Sequence, residues 1–83
     1  MADGYQVARD GVDVYVQVIG LANMRNTPVL DGFLRNELEA GALRICIDLA
    51  RCTGMDSTFM GTLVGYHKRL QSLSSAEGRL VVV

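Results

Sequence analysis

The alternation of apolar and polar positions divides the chain into four strands and two helices. Leu43, Ile45, Ile47 and Leu49 alternate with Arg44, Cys46, Asp48 and Ala50. A two-residue period with β-branched residues at its centre predicts a strand. Val12, Val14, Val16 and Val18 alternate likewise with Asp13, Tyr15, Gln17 and Ile19. This gives an earlier strand with one valine face toward the helices and a mixed opposite face. Tyr5 to Arg9 is a short strand before it. Asp10-Gly11 is the hairpin signal between the two, because both residues tolerate positive φ. Gly20 ends the valine strand.

The helical segments repeat with a longer period. Leu30, Phe33, Leu34 and Leu38 recur at helical spacing, with Asp31, Arg35, Asn36 and Glu39 outward. Thr27 is the expected cap, Pro28 suits the first turn and Gly41 supplies the stop. Gly32 inside this helix either costs about 1 kcal/mol relative to Ala or marks close packing. Later, Met60, Leu63, His67 and Leu70 form a second stripe, widened by Phe59, Val64 and Leu73. Asp56 is its expected N-cap. His67, Lys68 and Arg69 come late, where positive charge complements the helix dipole. Thr53 and Gly54 mark a turn before this helix, Ser74 to Gly78 a turn after it, and Arg79 to Val83 a last strand.

The order strand, strand, helix, strand, helix, strand predicts an α/β fold. Its mixed sheet opens with an antiparallel hairpin and continues through two right-handed crossovers joining parallel strands, with the helices mainly on one face. Loops that follow parallel strands open at one edge of a sheet. Leu21–Thr27 and Ala50–Met55 are therefore expected to be neighbours beside the start of the second helix. Asn23, Arg25, Arg51, Asp56 and Ser57 would share one exposed surface there.

Composition narrows the function classes. At 83 residues the chain is one small domain. A chain this short buries only about 60–65% of its extended surface. Its 49% hydrophobic and 20% charged content describe a globular protein. The net charge of −1, without a basic stripe, argues against nucleic acid as the main partner. No secretory signal and no apolar run near 20 residues stand out, so the cytoplasm is the default expectation. Cys46 and Cys52 do not make a disulfide framework, and C-x5-C is not a zinc spacing. No metal or cofactor is expected. Nor is catalysis: Ser57 and His67 would lie about 15 Å apart along one helix, whereas a nucleophile and its base need about 3 Å. Met24, Met55 and Met60 read as packing residues, His67 as a packed or edge histidine, and Arg25 and Arg51 as solvated loop charges.

The stretch DLARCTGMDSTFMGTL (Asp48 to Leu63) resembles the STAS family, the anti-sigma-factor antagonist domains. The matching residues are Ile47-Asp48-Leu49, Met55-Asp56-Ser57-Thr58, Met60, Gly61 and Leu63. The order of elements agrees from Tyr5 to Val83. The resemblance implies a small STAS-type α/β fold over 1–83, stopping short of the family's C-terminal helix, so that either the chain is a piece of a longer one or association of copies, as in a homodimer, covers the exposed surface. It also implies a partner switch. The domain would bind an anti-sigma factor that is also a serine kinase, and phosphorylation of Ser57 would break that contact until a serine phosphatase restored it. Asn23, Arg25, Arg51, Asp56, Ser57, Thr58 and Phe59 are the candidate partner surface, with Arg25 and Arg51 as candidate partners of the phosphate. Phe59 departs from the pattern, which usually has Gly there. Asp-Ser ahead of an apolar helix is also ordinary capping chemistry. The alternative function is a scaffold or transporter-associated STAS module with no turnover at Ser57.

Overall fold

The computed structural model describes residues 3–73 and 79–82. The expected turn at Ser74–Gly78 and the final Val83 lie outside the described residues, and Leu73 and Arg79 are described in their backbone alone. Strand β1 spans Gly4–Asp10 and β2 spans Asp13–Ala22. Helix α1 spans Thr27–Glu39, β3 Arg44–Met55, α2 Ser57–Leu73 and β4 Arg79–Val82. The sheet order is β1-β2-β3-β4. β1 runs antiparallel to β2, while β2 with β3 and β3 with β4 are parallel. The mixed sheet read from the sequence is therefore the one observed.

The hairpin turns on different residues from those expected. Asp10 pairs with Asp13, so the turn residues are Gly11 and Val12. Gly11 alone takes positive φ, at 62°. Glycine at the first central position suits a type II′ turn, which follows the twist of the flanking strands. Arg44 on β3 pairs with Asp13 across the neighbouring strand. Arg9 holds the other side of the turn, donating to the carbonyls of Gly11 and Ala40.

Gly20 does not end β2. The strand continues to Ala22 through register shifts after Gln17 and after Gly20, where φ reaches 73°. The partner strand is longer than expected for the same reason. Thr53 and Gly54 read as a turn, yet Gly54 pairs with Leu21 and Met55 with Ala22. Bulges let both strands bend without releasing their backbone bonds.

One core lies between the sheet and both helices. Val14, Val16, Val18, Ile45 and Ile47 line the sheet side at 0–1% exposure. Leu30, Leu34 and Leu38 face them from α1. Phe33, expected in that stripe, is 46% exposed. From α2 the buried row is Phe59, Leu63, Tyr66 and Leu70. This row is rotated from the expected one. Met60 and Val64 are exposed at 48% and 53%, and His67 is partly buried. Each fully buried Leu or Phe contributes about 1.5–3 kcal/mol through removal from water. Tyr66 also ties the helices together, its single hydroxyl proton shared between the Asp31 carbonyl at 2.8 Å and Asp31 Oδ1 at 2.7 Å. Gly41 stops α1 with φ 102°. Gly32 has open space where a Cβ would stand, so close packing does not explain it.

Candidate functional site

The β2–α1 loop and the start of α2 meet at one end of the sheet. Parallel strands make this happen: β2 and β3 run side by side to Ala22 and Met55, so the segments that follow them leave from the same edge. The Asp56 amide donates to the Ala22 carbonyl at 3.1 Å, which seats the entry of α2 against the exit of β2.

Asp56 caps α2 as expected and does more. Its Oδ1 accepts the Phe59 amide at 3.0 Å, satisfying a first-turn donor. Its Oδ2 accepts the Met24 amide at 2.9 Å, from the β2–α1 loop. The Asp56 carbonyl accepts the Met60 amide at 3.2 Å, so helical bonding starts here. Ser57 is the first residue of α2, and its side chain and that of Thr58 are exposed. Anions are favoured at this end of a helix by the dipole and by amides without intrahelical partners.

The loop is held by two asparagines. Asn23 Oδ1 accepts the Arg25 amide at 3.0 Å, and its carbonyl accepts the Thr27 amide and hydroxyl at 2.8 and 2.7 Å. Thr27 is thus not the cap expected of it. It is the first helical residue, after the N-cap Asn26, and is buried. Asn26 is the residue that sequence reasoning missed. Its Oδ1 accepts the Asn23 amide at 3.0 Å and the Tyr5 hydroxyl at 2.7 Å, while Nδ2 donates to the Leu21 carbonyl at 2.7 Å. The Asn-x-x-Asn spacing was the available signal, because asparagine side chains readily bond nearby backbone in turns. Burial pushes the Tyr5 hydroxyl above its ordinary pKa, which keeps it protonated as a donor.

The candidate residues divide into three groups. Asn23, Arg25, Asp56, Ser57 and Thr58 come together around the loop and the helix start. Arg51 is exposed but lies within β3 opposite Ile19, roughly 13 Å along the strand from Met55 at about 3.3 Å per residue. Phe59 is 0% exposed and stacks on Tyr5, with ring centroids 6.4 Å apart. A side chain enclosed in this way cannot form part of a contact surface, which corrects the expectation. Met24, Met55 and Met60, expected to pack inside, are 67%, 40% and 48% exposed. The last two line an open apolar cleft of about 410 Å³ between α2 and the edge formed by β3 and β4, with Val64, His67 and Val82 among its other walls.

Cys46 and Cys52 are free thiols, and among the described residues no cluster of metal-ligating side chains gathers. No helix among the described residues is long and apolar enough to cross a membrane. Helix α2 is continuous between Ser57 and His67, so the two stay about 15 Å apart.

No protein-family model matches the sequence, and no curated protein does. Solved structures do match the backbone. The anti-sigma factor antagonist SpoIIAA in its unphosphorylated form superposes with a TM-score of 0.77 at 20% identity, over 95% of this chain and 71% of that one. The chain has the SpoIIAA fold. The phosphorylated form of SpoIIAA, from Bacillus, gives 0.72 at 20% identity, over 93% of this chain and 68% of that one. A proposed anti-sigma factor antagonist from Thermotoga maritima gives 0.77 at 20% identity, over 94% and 65% of the two chains. A larger protein, Mglu, contains the same arrangement, with a TM-score of 0.71 at 22% identity. This chain is 93% covered by that match but spans only 18% of Mglu. The SpoIIAA-type fold is the STAS-type fold expected from the motif around Asp56-Ser57.

Proposed function

We propose that the chain is a regulatory anti-sigma factor antagonist, binding an anti-sigma factor that is also a serine kinase and switched by phosphorylation of Ser57. One observation carries the reading. An exposed serine opens α2, next to its capping aspartate and beside the β2–α1 loop, on a fold shared with SpoIIAA. In the reaction, Ser57 Oγ attacks the γ-phosphorus of ATP held by the kinase. The new O–P bond replaces the β,γ-bridging one, ADP leaves, and the serine proton passes to a base of the kinase. The product adds about −1.5 to −2 charges. An exposed helix start favours such charge by roughly 0.3–1 kcal/mol, so the domain keeps its fold while its partner surface turns anionic. A serine phosphatase removes the phosphate by hydrolysis, water replacing the serine oxygen on phosphorus and inorganic phosphate leaving, and the exchange takes place in the cytoplasm.

The test is incubation with the cognate kinase and ATP. Intact-mass measurement is expected to find one phosphate, lost in Ser57→Ala, and Ser57→Asp is expected to weaken anti-sigma binding by about tenfold or more. Absence of phosphate, or full labelling of Ser57→Ala, overturns the switch. Unchanged binding by Ser57→Asp favours a scaffold instead.

A further inference from the structure

We propose that Asp56 is a latch that reports the state of Ser57 to the β2–α1 loop, an inference that rests on Ser57 being the modified residue. One carboxylate serves two elements, its Oδ1 holding the Phe59 amide and its Oδ2 the Met24 amide. The rest of the loop is secured from within, through Asn23 and Asn26. Met24 is not. Its side chain is 67% exposed, and the bond to Asp56 is what fastens its backbone to α2.

A phosphate on Ser57 stands one residue from this carboxylate. It bears more charge and three acceptor oxygens. It competes for the same first-turn amides and repels the carboxylate that occupies them. Either effect draws Asp56 out of its two-sided geometry and frees the Met24 backbone, while Arg25 stays held by Asn23. The partner then meets two changes: an anion at the helix start and a Met24 backbone no longer fastened beside it. Asp56 is a positioning residue in this scheme. It does not receive the phosphate, and it sets where Met24 stands relative to Ser57.

Amide hydrogen exchange by NMR on the full chain tests the latch. Four forms are compared: serine or genetically encoded phosphoserine at position 57, each with Asp56 or with Asp56→Ser. Serine is a good cap with a single oxygen, so this substitution keeps the Phe59 bond and removes the one to Met24. Protection of the Phe59 amide verifies that α2 is still capped. Phosphoserine is expected to speed Met24 exchange by about tenfold, the weight of one charge-assisted bond. Asp56→Ser alone is expected to do the same, and phosphoserine is expected to add nothing to it. Unchanged Met24 exchange in Asp56→Ser overturns the latch. Unchanged Met24 exchange with phosphoserine overturns the relay. If phosphoserine frees Met24 but leaves anti-sigma binding intact, the functional reading of Ser57 fails while the latch stands.

Discussion

Glycine-to-alanine substitution should change sign across this chain, and the structure says where. Gly32 in α1 and Gly61 and Gly65 in α2 are interior helical positions. None has positive φ, and a Cβ built at each meets nothing within 4 Å. Alanine there fixes backbone freedom in the unfolded chain and adds no clash, so each exchange is expected to stabilise by about 0.5–1 kcal/mol. For a domain of this size 1 kcal/mol moves Tm by roughly 4–8 °C, giving about 2–8 °C per site. Gly32 adjoins Asp31, the acceptor of Tyr66 beside Gly65, so the Gly32 and Gly65 exchanges can couple across the two helices. Gly61 and Gly65 are one turn apart and can couple. Gly41 is the internal control. It also has free space, with the nearest atom 3.8 Å from a built Cβ, but its φ is 102°. Alanine is strained in that conformation, and Gly41→Ala is expected to destabilise by about 1 kcal/mol or more. Thermal and urea unfolding followed by circular dichroism measure all four. Destabilisation by the three helical variants, or stabilisation by Gly41→Ala, refutes the reasoning, because backbone φ would then not be what decides the sign where space is free.

Phe59→Ala removes the ring that closes the site end of the core, and is expected to cost about 3–5 kcal/mol. That is comparable to the whole stability of a small domain, so loss of the far-UV signal at 25 °C is expected, whereas Phe59→Leu should remain folded. An alanine variant within 1 kcal/mol of the parent would contradict the buried placement. The Tyr66 hydroxyl is pushed up to about 12, chiefly by burial and then by its bond to Asp31. Because the fold favours the protonated phenol, its contribution is complete below pH 10 and disappears as pH rises from 10 toward 12. The urea midpoints of the parent and Tyr66→Phe should therefore differ steadily up to about pH 10 and converge above it. A gap that persists at pH 12 excludes this account.

The fold was legible where one property decided the outcome. Val14, Val16 and Val18 alternate cleanly, and the sheet buries them. The Asp56 cap was legible because its chemistry is local. The face of α2 was not. Met60, Val64 and His67 extend the apolar arc beside Phe59, Leu63 and Leu70, and hydropathy alone cannot say which part of a wide arc meets the sheet. Tyr66 went unnoticed because its apolar ring carries a polar tip, and the tip needed Asp31 from a distant helix. Thr53-Gly54 has turn composition, but pairing with β2 overrode it. Asn26 depends on Tyr5, 21 positions away, and short-range pattern reading does not register such a contact.

That last bond has a practical meaning for anyone handling the protein. The hydroxyl that steadies Asn26 comes from the second residue of β1, close to the amino end. Trimming back through Tyr5, or fusing a bulky tag that draws this strand aside, would disturb the loop beside Ser57 without touching the serine itself. A binding assay performed on such material would then be reporting on the handle as much as on the proposed switch.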